Sequence, residues 1–229
     1  MTDTNNVRIY PLGDSALTVE FGNVISEELN RKAISLAKII SEDPFDGFVE
    51  AVPAYASATI FYDIVRTRNA NPELPSAFAY VRDRVAEHLN DLDISTLPTD
   101  AREVTIPVHF GGKDGPDLTV LAEFAGIAES RVIDIFVSQT YHVYMLGFLP
   151  GFSYMGEVDE RIAMPRRDTP RKSVPKGSVG IAGGQTGIYS LESPGGWRII
   201  GRTDVEMFIP ESDEPTFLRP GDRVRFAAA

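Results

Sequence analysis

The stretch that decides the fold is GSVGIAGGQTGIY at residues 177–189, followed at once by SPGGW at 193–197. Of the 19 glycines in the chain, 11 fall between Tyr141 and Gly201. Such a density argues for many tight turns between short strands, and for backbone that approaches another group closely. A β-barrel whose corners require glycine accounts for it, and so do turns whose backbone amides face an anion.

Immediately upstream the charge reverses. Residues 161–176 sum to +5, from Arg161, Arg166, Arg167, Arg171, Lys172 and Lys176 against Asp168 alone. The rest of the chain is acidic: −8 over 1–100, −6 over 101–160 and −2 over 177–229, for a net charge of −11. Pro165, Pro170 and Pro175 recur every five residues through the basic stretch, which forbids a helix and predicts an extended, stiffened loop. This loop faces either an anion or partner, or the acidic N-terminal half. Arginine beside glycine-rich turns and the sole tryptophan, Trp197, makes the surroundings of a small acidic ligand.

Toward the N-terminus the texture differs. Residues 7–12 and 16–21 are strand-like and separated by a Gly13-Asp14 turn, and Ser26 offers an N-cap with Glu27 and Glu28 in the first helical turn. Leu29, Ala33, Leu36, Ala37 and Ile40 then form a helical stripe. Strands are predicted at 48–52 and 58–62, a second helix through Phe78, Val81, Val85 and Leu89, and a linker at 90–98. Beyond it, 104–110 predicts a strand, Asp117 caps a short helix ended by Gly126, and 129–139 predicts another helix.

Several classes are excluded. The acidic balance disfavours a general nucleic-acid binder. With no cysteine in the 229 residues there are no disulfides, thiolate zinc sites or cysteine nucleophiles. His88, His109 and His142 are too scattered to predict a metal site. No P-loop or dinucleotide fingerprint is present, and Ser153 and Ser178 lack the elbow of a serine hydrolase. No apolar segment reaches the length of a membrane span, and residues 1–6 have no basic leader, so a cytoplasmic location is expected.

Taken together, YMLGFLPGFSYMG (144–156), Pro165-Arg166, Thr169 to Arg171, Val174-Pro175, GSVGIAG (177–183), QTGIY (185–189), SPGGW (193–197) and IGRT (200–203) resemble the KipI family. Its members are also called allophanate hydrolase subunit 1 and the B-type subunit of 5-oxoprolinase, PxpB. PLGDSA (11–16), VEAVPAY (49–55), IPV (106–108) and GPDL (115–118) extend the likeness more weakly. Ser153, where proline is frequent, and Gly184, where a larger residue often stands, depart from the pattern.

The resemblance implies an α+β chain with a small α/β, ferredoxin-like domain at 1–98 and a cyclophilin-like β-barrel domain at 99–229. It implies a subunit of an ATP-dependent 5-oxoprolinase, inactive alone, that cleaves 5-oxo-L-proline to L-glutamate. A KipA/PxpC-type partner and a PxpA-type third subunit are implied, with ATP and Mg bound by the complex. Urea carboxylase or allophanate hydrolase chemistry, and inhibition of a histidine kinase, are the family's other activities. Expected catalytic residues are Arg166, Arg171 and Gln185. Expected substrate or phosphate contacts are Lys172, Ser178, Thr186, Tyr189, Trp197 and Arg202, and no metal ligand is expected.

Overall fold

A computed structural model describes residues 7–90 and 101–229, without the Asn90 side chain. The chain divides into two compact units, Met1–Thr99 and Asp100–Ala229. The expected domain boundary, nearly all of the linker at 90–98 and residues 1–6 lie outside the described residues.

In the first unit β1 (Arg8–Pro11), β2 (Ala16–Glu20), β3 (Phe48–Pro53) and β4 (Ser57–Tyr62) form an antiparallel sheet of order β1-β2-β4-β3. Helices α1 (Glu27–Glu42), α2 (Ile64–Ala70) and α3 (Ala77–Asn90) complete the unit. The apolar stripe of α1 buries Ala33, Leu36, Ala37 and Ile40, which join Leu17, Val19, Ile60 and Tyr62 of the sheet and Val81 and Val85 of α3 in one core. Alternation along β4 puts Ala58, Ile60 and Tyr62 on that core face, as a strand with one covered side requires. Helix α2 is too short to show a periodic stripe; the Asp63 carboxylate starts it by accepting from the Arg66 N–H at 2.9 Å. The connectivity, ββαββαα, differs from the βαββαβ order of a ferredoxin-like chain in placing its edge strand β1 first.

The second unit is a closed seven-stranded barrel. Its strands are β5 (Glu103–Phe110), β6 (Tyr141–Leu146), β7 (Ser153–Gly156), β9 (Ser178–Ala182), β10 (Gln185–Ile188), β12 (Arg198–Arg202) and β13 (Arg223–Ala228). They run in the order β10-β7-β6-β13-β5-β12-β9, and β9 pairs with β10 to close the ring and leave no free edge. Only β5 and β13 pair in parallel among these strands. Helices α4 (Leu118–Ala125) and α5 (Glu129–Ser138) bury Leu118, Leu121, Val132 and Phe136 against the barrel core, where Phe136 stacks on Phe226 at 4.9 Å. Gly126 ends α4 at φ 68°, the left-handed conformation that suits glycine.

The basic stretch is less uniform than an extended loop. It begins on a single 3₁₀ turn, Glu160–Ile162, that takes in Arg161, and it ends as β8 (Arg171–Val174), paired outside the barrel with β11 (Ser193–Gly195). Asp159 caps the turn through the Arg161 N–H, which explains a helical turn ahead of the first proline.

Candidate functional site

Successive residues of a strand face opposite sides, and the barrel strands use both. Val179 and Ile181 of β9, Ile188 of β10 and Met155 of β7 fill the barrel. Phe152, Val174, Ala182, Tyr189, Trp197 and Ile199 form a separate cluster, with Tyr154 packed against it. Glycine makes the second cluster possible. A Cβ at Gly187 would stand 2.9 Å from the Phe152 ring and 2.7 Å from the Ser153 carbonyl, and one at Gly195 would stand 2.2 Å from the Tyr189 hydroxyl.

A cleft of about 240 Å³ opens over this cluster, lined by Phe148, Phe152, Tyr154, Tyr189, Trp197, Arg166, Pro170 and the Pro194-Gly195-Gly196 turn. Phe152 is its hub, with edge-on contacts to Tyr154 at 4.9 Å, Tyr189 at 5.3 Å and Trp197 at 5.4 Å. Phe148 stands at the rim, 61% exposed at φ 66°, a backbone conformation uncommon for a bulky residue.

The Arg166 guanidinium lies 5.6 Å from the centre of the Trp197 ring and has no carboxylate within ion-pairing distance among the described residues. Arg171 stands behind the Pro170 and Gly195 wall, opposite Gly195 in the β8–β11 pair. Burial pushes the Tyr189 hydroxyl above the usual phenol range, partly offset by the Trp197 N–H and the positive charges of Arg166 and Arg171. An aromatic floor with an unpaired cation over one ring suits a small, flat, anionic ligand.

Asp117 holds this wall from beneath. Its carboxylate is 2% exposed and accepts from Arg171 Nη2 at 2.7 Å, Arg167 Nη1 at 3.2 Å and the Ile199 N–H at 2.7 Å. Burial alone would raise its pKa, but the hydrogen bond from Arg171, the Ile199 N–H and the two guanidinium charges hold it below the ordinary carboxylate value. Asp117 is at the N-cap position of α4 without a side-chain capping bond, so its expected role as a cap gives way to this network. Arg171 Nη1 is buried with no hydrogen-bond partner among the described residues.

Arg166, Arg171, Tyr189 and Trp197 are therefore brought together. Gln185 is half-buried at the start of β10, opposite Ala182. Thr186 turns inward and donates from Oγ1 to the Gly180 carbonyl at 2.9 Å. Ser178 is buried in β9 and Lys172 is exposed on β8. Arg202 lies elsewhere, in a hollow of about 360 Å³ with His109, Lys113, Asp114 and Asp204. Among the described residues no group of three or more His, Asp or Glu is placed to hold a metal ion, and no helix is long and apolar enough to cross a membrane. Sequence reasoning missed Phe148, Phe152, Tyr154 and the network role of Asp117. The alternation of Phe152 and Tyr154 with Ser153 and Met155 was the available signal for the aromatic pair; nothing local marked Asp117, whose partners lie 50, 54 and 82 residues away.

Residues 7–218 match the family model described as carboxyltransferase domain, subdomain C and D. The chain is 44% identical to the B-type subunit of the 5-oxoprolinase of Bacillus subtilis (strain 168) over 97% of its own length and 93% of the relative's. It is 39% identical to the corresponding 5-oxoprolinase chain of Escherichia coli O157:H7, over 96% and 94%. The crystal structure of TTHA0988 superposes with a TM-score of 0.78 at 38% identity, covering 93% of this chain but 40% of that longer one.

Proposed function

The chain belongs to the carboxyltransferase subdomain C and D family, in its KipI/PxpB branch, and on that premise we propose that it is the B-type subunit of an ATP-dependent 5-oxoprolinase. The observation that carries the reading is the aromatic cleft with Arg166 over Trp197. 5-Oxoproline is a small, nearly flat ring bearing one carboxylate. Its ring lies on the aromatic floor and its carboxylate meets Arg166, with the Arg171 charge behind. A cleft of about 240 Å³ is below the roughly 300–1,000 Å³ typical of sites for drug-sized ligands, so it suits the lactam and not a nucleotide.

A lactam is a poor electrophile. Transfer of the terminal phosphoryl group of ATP to the lactam oxygen makes the ring carbon reactive. Water adds there and the carbon–nitrogen bond breaks to leave an acyl phosphate, and a second water releases phosphate and glutamate. This chain's part is to bind and orient the ring and to balance the substrate's charge. The phosphoryl donor and its Mg are assigned to the complex, whose other members are a KipA/PxpC-type and a PxpA-type subunit. Gln185, half-buried at the start of β10, remains a candidate catalytic group and Lys172, exposed on β8, a candidate phosphate contact. Ser178 and Thr186 are enclosed in β9 and β10 and Arg202 lies in its own hollow, so these three are not assigned to the cleft. In the same reading the unit at 1–98 is a permuted variant of a ferredoxin-like layer, with its edge strand first, the unit at 99–229 is a cyclophilin-like barrel, and the complex works in the cytoplasm.

The test is ATP-dependent turnover by this chain with its genomic neighbours, against 5-oxoproline, urea and allophanate. Turnover of 5-oxoproline is expected only with the neighbours present. Arg166→Ala should raise its KM by about 10- to 100-fold, the loss of one charge-assisted hydrogen bond. Turnover of urea or allophanate alone, or an unchanged KM in both Arg166→Ala and Trp197→Ala, sinks the reading.

A further inference from the structure

Among the described residues the cation over Trp197 has no carboxylate of its own to hold it, yet the backbone on both sides of Arg166 is pinned. On one side the Pro165 carbonyl accepts from Arg198 Nε at 3.1 Å. On the other, the Arg167 N–H donates to the Gly196 carbonyl at 2.8 Å, beside Trp197 itself. The Arg167 guanidinium then reaches Asp117, whose other oxygen takes the Ile199 N–H two residues beyond Trp197, while the Asp117 N–H donates to the Ile199 carbonyl at 2.9 Å. Arg171 closes the same carboxylate from β8. Asp117 therefore ties together β12, which begins directly after Trp197, and the loop that carries Arg166.

We infer that Asp117 is the positioning residue that holds Arg166 over Trp197 and so sets the anion preference of the cleft. The inference rests on the reading of this cleft as the binding site for a small carboxylate only in what the preference is for. Asp117 touches no ligand. It acts through Arg167 and Arg171, and a charge that is negative itself sustains a positive surface above it by fixing where the unpaired cation stands.

That sign makes the idea testable with Trp197, the only tryptophan. Iodide, an anionic quencher, reports the positive potential at the ring, and neutral acrylamide reports its exposure. The ratio of the two quenching constants is measured in the full-length chain. Arg166→Ala should lower the ratio roughly twofold, the size expected from one partly screened charge. If Asp117 acts merely as a nearby negative charge, Asp117→Asn raises the ratio. If it positions Arg166, Asp117→Asn lowers the ratio about as far as Arg166→Ala does, and the double variant falls no further. An unchanged or raised ratio in Asp117→Asn overturns the inference. Should that variant fail to fold by circular dichroism, Arg167→Met tests the same link with Asp117 still bound by Arg171 and the Ile199 N–H; it should lower the ratio by less than twofold, and no decrease beyond the loss of its own charge, judged against Lys172→Met, an exposed cation of the same segment outside this network, overturns the inference.

A parallel titration with 5-oxoproline, read by the same fluorescence, separates the two claims. No response in the unaltered chain together with a lowered ratio in Asp117→Asn removes the proposed ligand and leaves the positioning role. A response abolished by Arg166→Ala together with an unchanged ratio in Asp117→Asn does the reverse.

Discussion

Asp117 stands at the start of α4, where a helix cap is expected, yet its carboxylate turns to Arg171, Arg167 and the Ile199 N–H. A carboxylate at 2% exposure is tolerable only with such company, because desolvation disfavours its charge. Removing it strands one buried N–H and two half-buried guanidinium groups, so Asp117→Ala should cost about 2–4 kcal/mol, less than a fully enclosed pair because both arginines can reach water. The pH dependence has a definite sign. The folded-state pKa lies below the unfolded value, so the stabilisation is complete above about pH 4–5 and is lost as pH falls through the folded value. Urea midpoints measured from pH 7 down to pH 2 should fall more steeply for the unaltered chain than for Asp117→Asn; equal slopes would contradict the assignment. The residue types at 161–176 announced a cationic segment from composition, but which cation Asp117 pairs, Arg171 and not Arg166, depends on a carboxylate some 50 residues upstream, beyond the reach of any local pattern.

Among the elements, β10 shows why glycine is so frequent in the deciding stretch. Thr186 and Ile188 face the barrel, and Gly187 between them leaves room for Phe152 to lie against the outer surface. Gly187→Ala would set a Cβ 2.7 Å from the Ser153 carbonyl, a backbone atom that cannot rotate away. The expected cost is about 1–3 kcal/mol, together with a shifted Trp197 emission, since the Phe152 ring sits 5.4 Å from Trp197. Gly184→Ala, with nothing within 4 Å of the new Cβ, is the control and should change neither urea midpoint nor emission. The expectation of short strands between tight turns is met here because β-structure and turns are encoded locally. Helix α2 and strands β8 and β11 escaped notice for the opposite reason: at seven, four and three residues they are too short to display a period, and β8 and β11 exist through pairing with each other.

For the molecule as a whole, the charge of −11 and the pI near 4.8 describe a background against which one basic segment stands out. Near pH 4.8 the net repulsion between copies vanishes, and light scattering should show a solubility minimum there that added salt shifts little toward neutral pH. A minimum well above pH 6 would mean that the acidic groups titrate far from their ordinary range. Each unit has its own apolar core, one of sheet and helices around Leu36 and Ile60, the other of the barrel and its helices around Phe136, Met155 and Ile181. The sequence by itself determined the mixed α and β content, the two textures along the chain, the family, and the place of the cationic loop, because periodicity, glycine content and charge are properties of neighbouring residues. Only the tertiary structure decided that the strands close into a seven-membered ring, that Phe152 and Tyr154 join Trp197 in one cleft, and that Asp117 pairs Arg167 and Arg171 while Arg166 has no carboxylate partner among the described residues. Those outcomes depend on contacts between residues far apart in the chain, whose energies are set by burial and direction, and neither is written in local order.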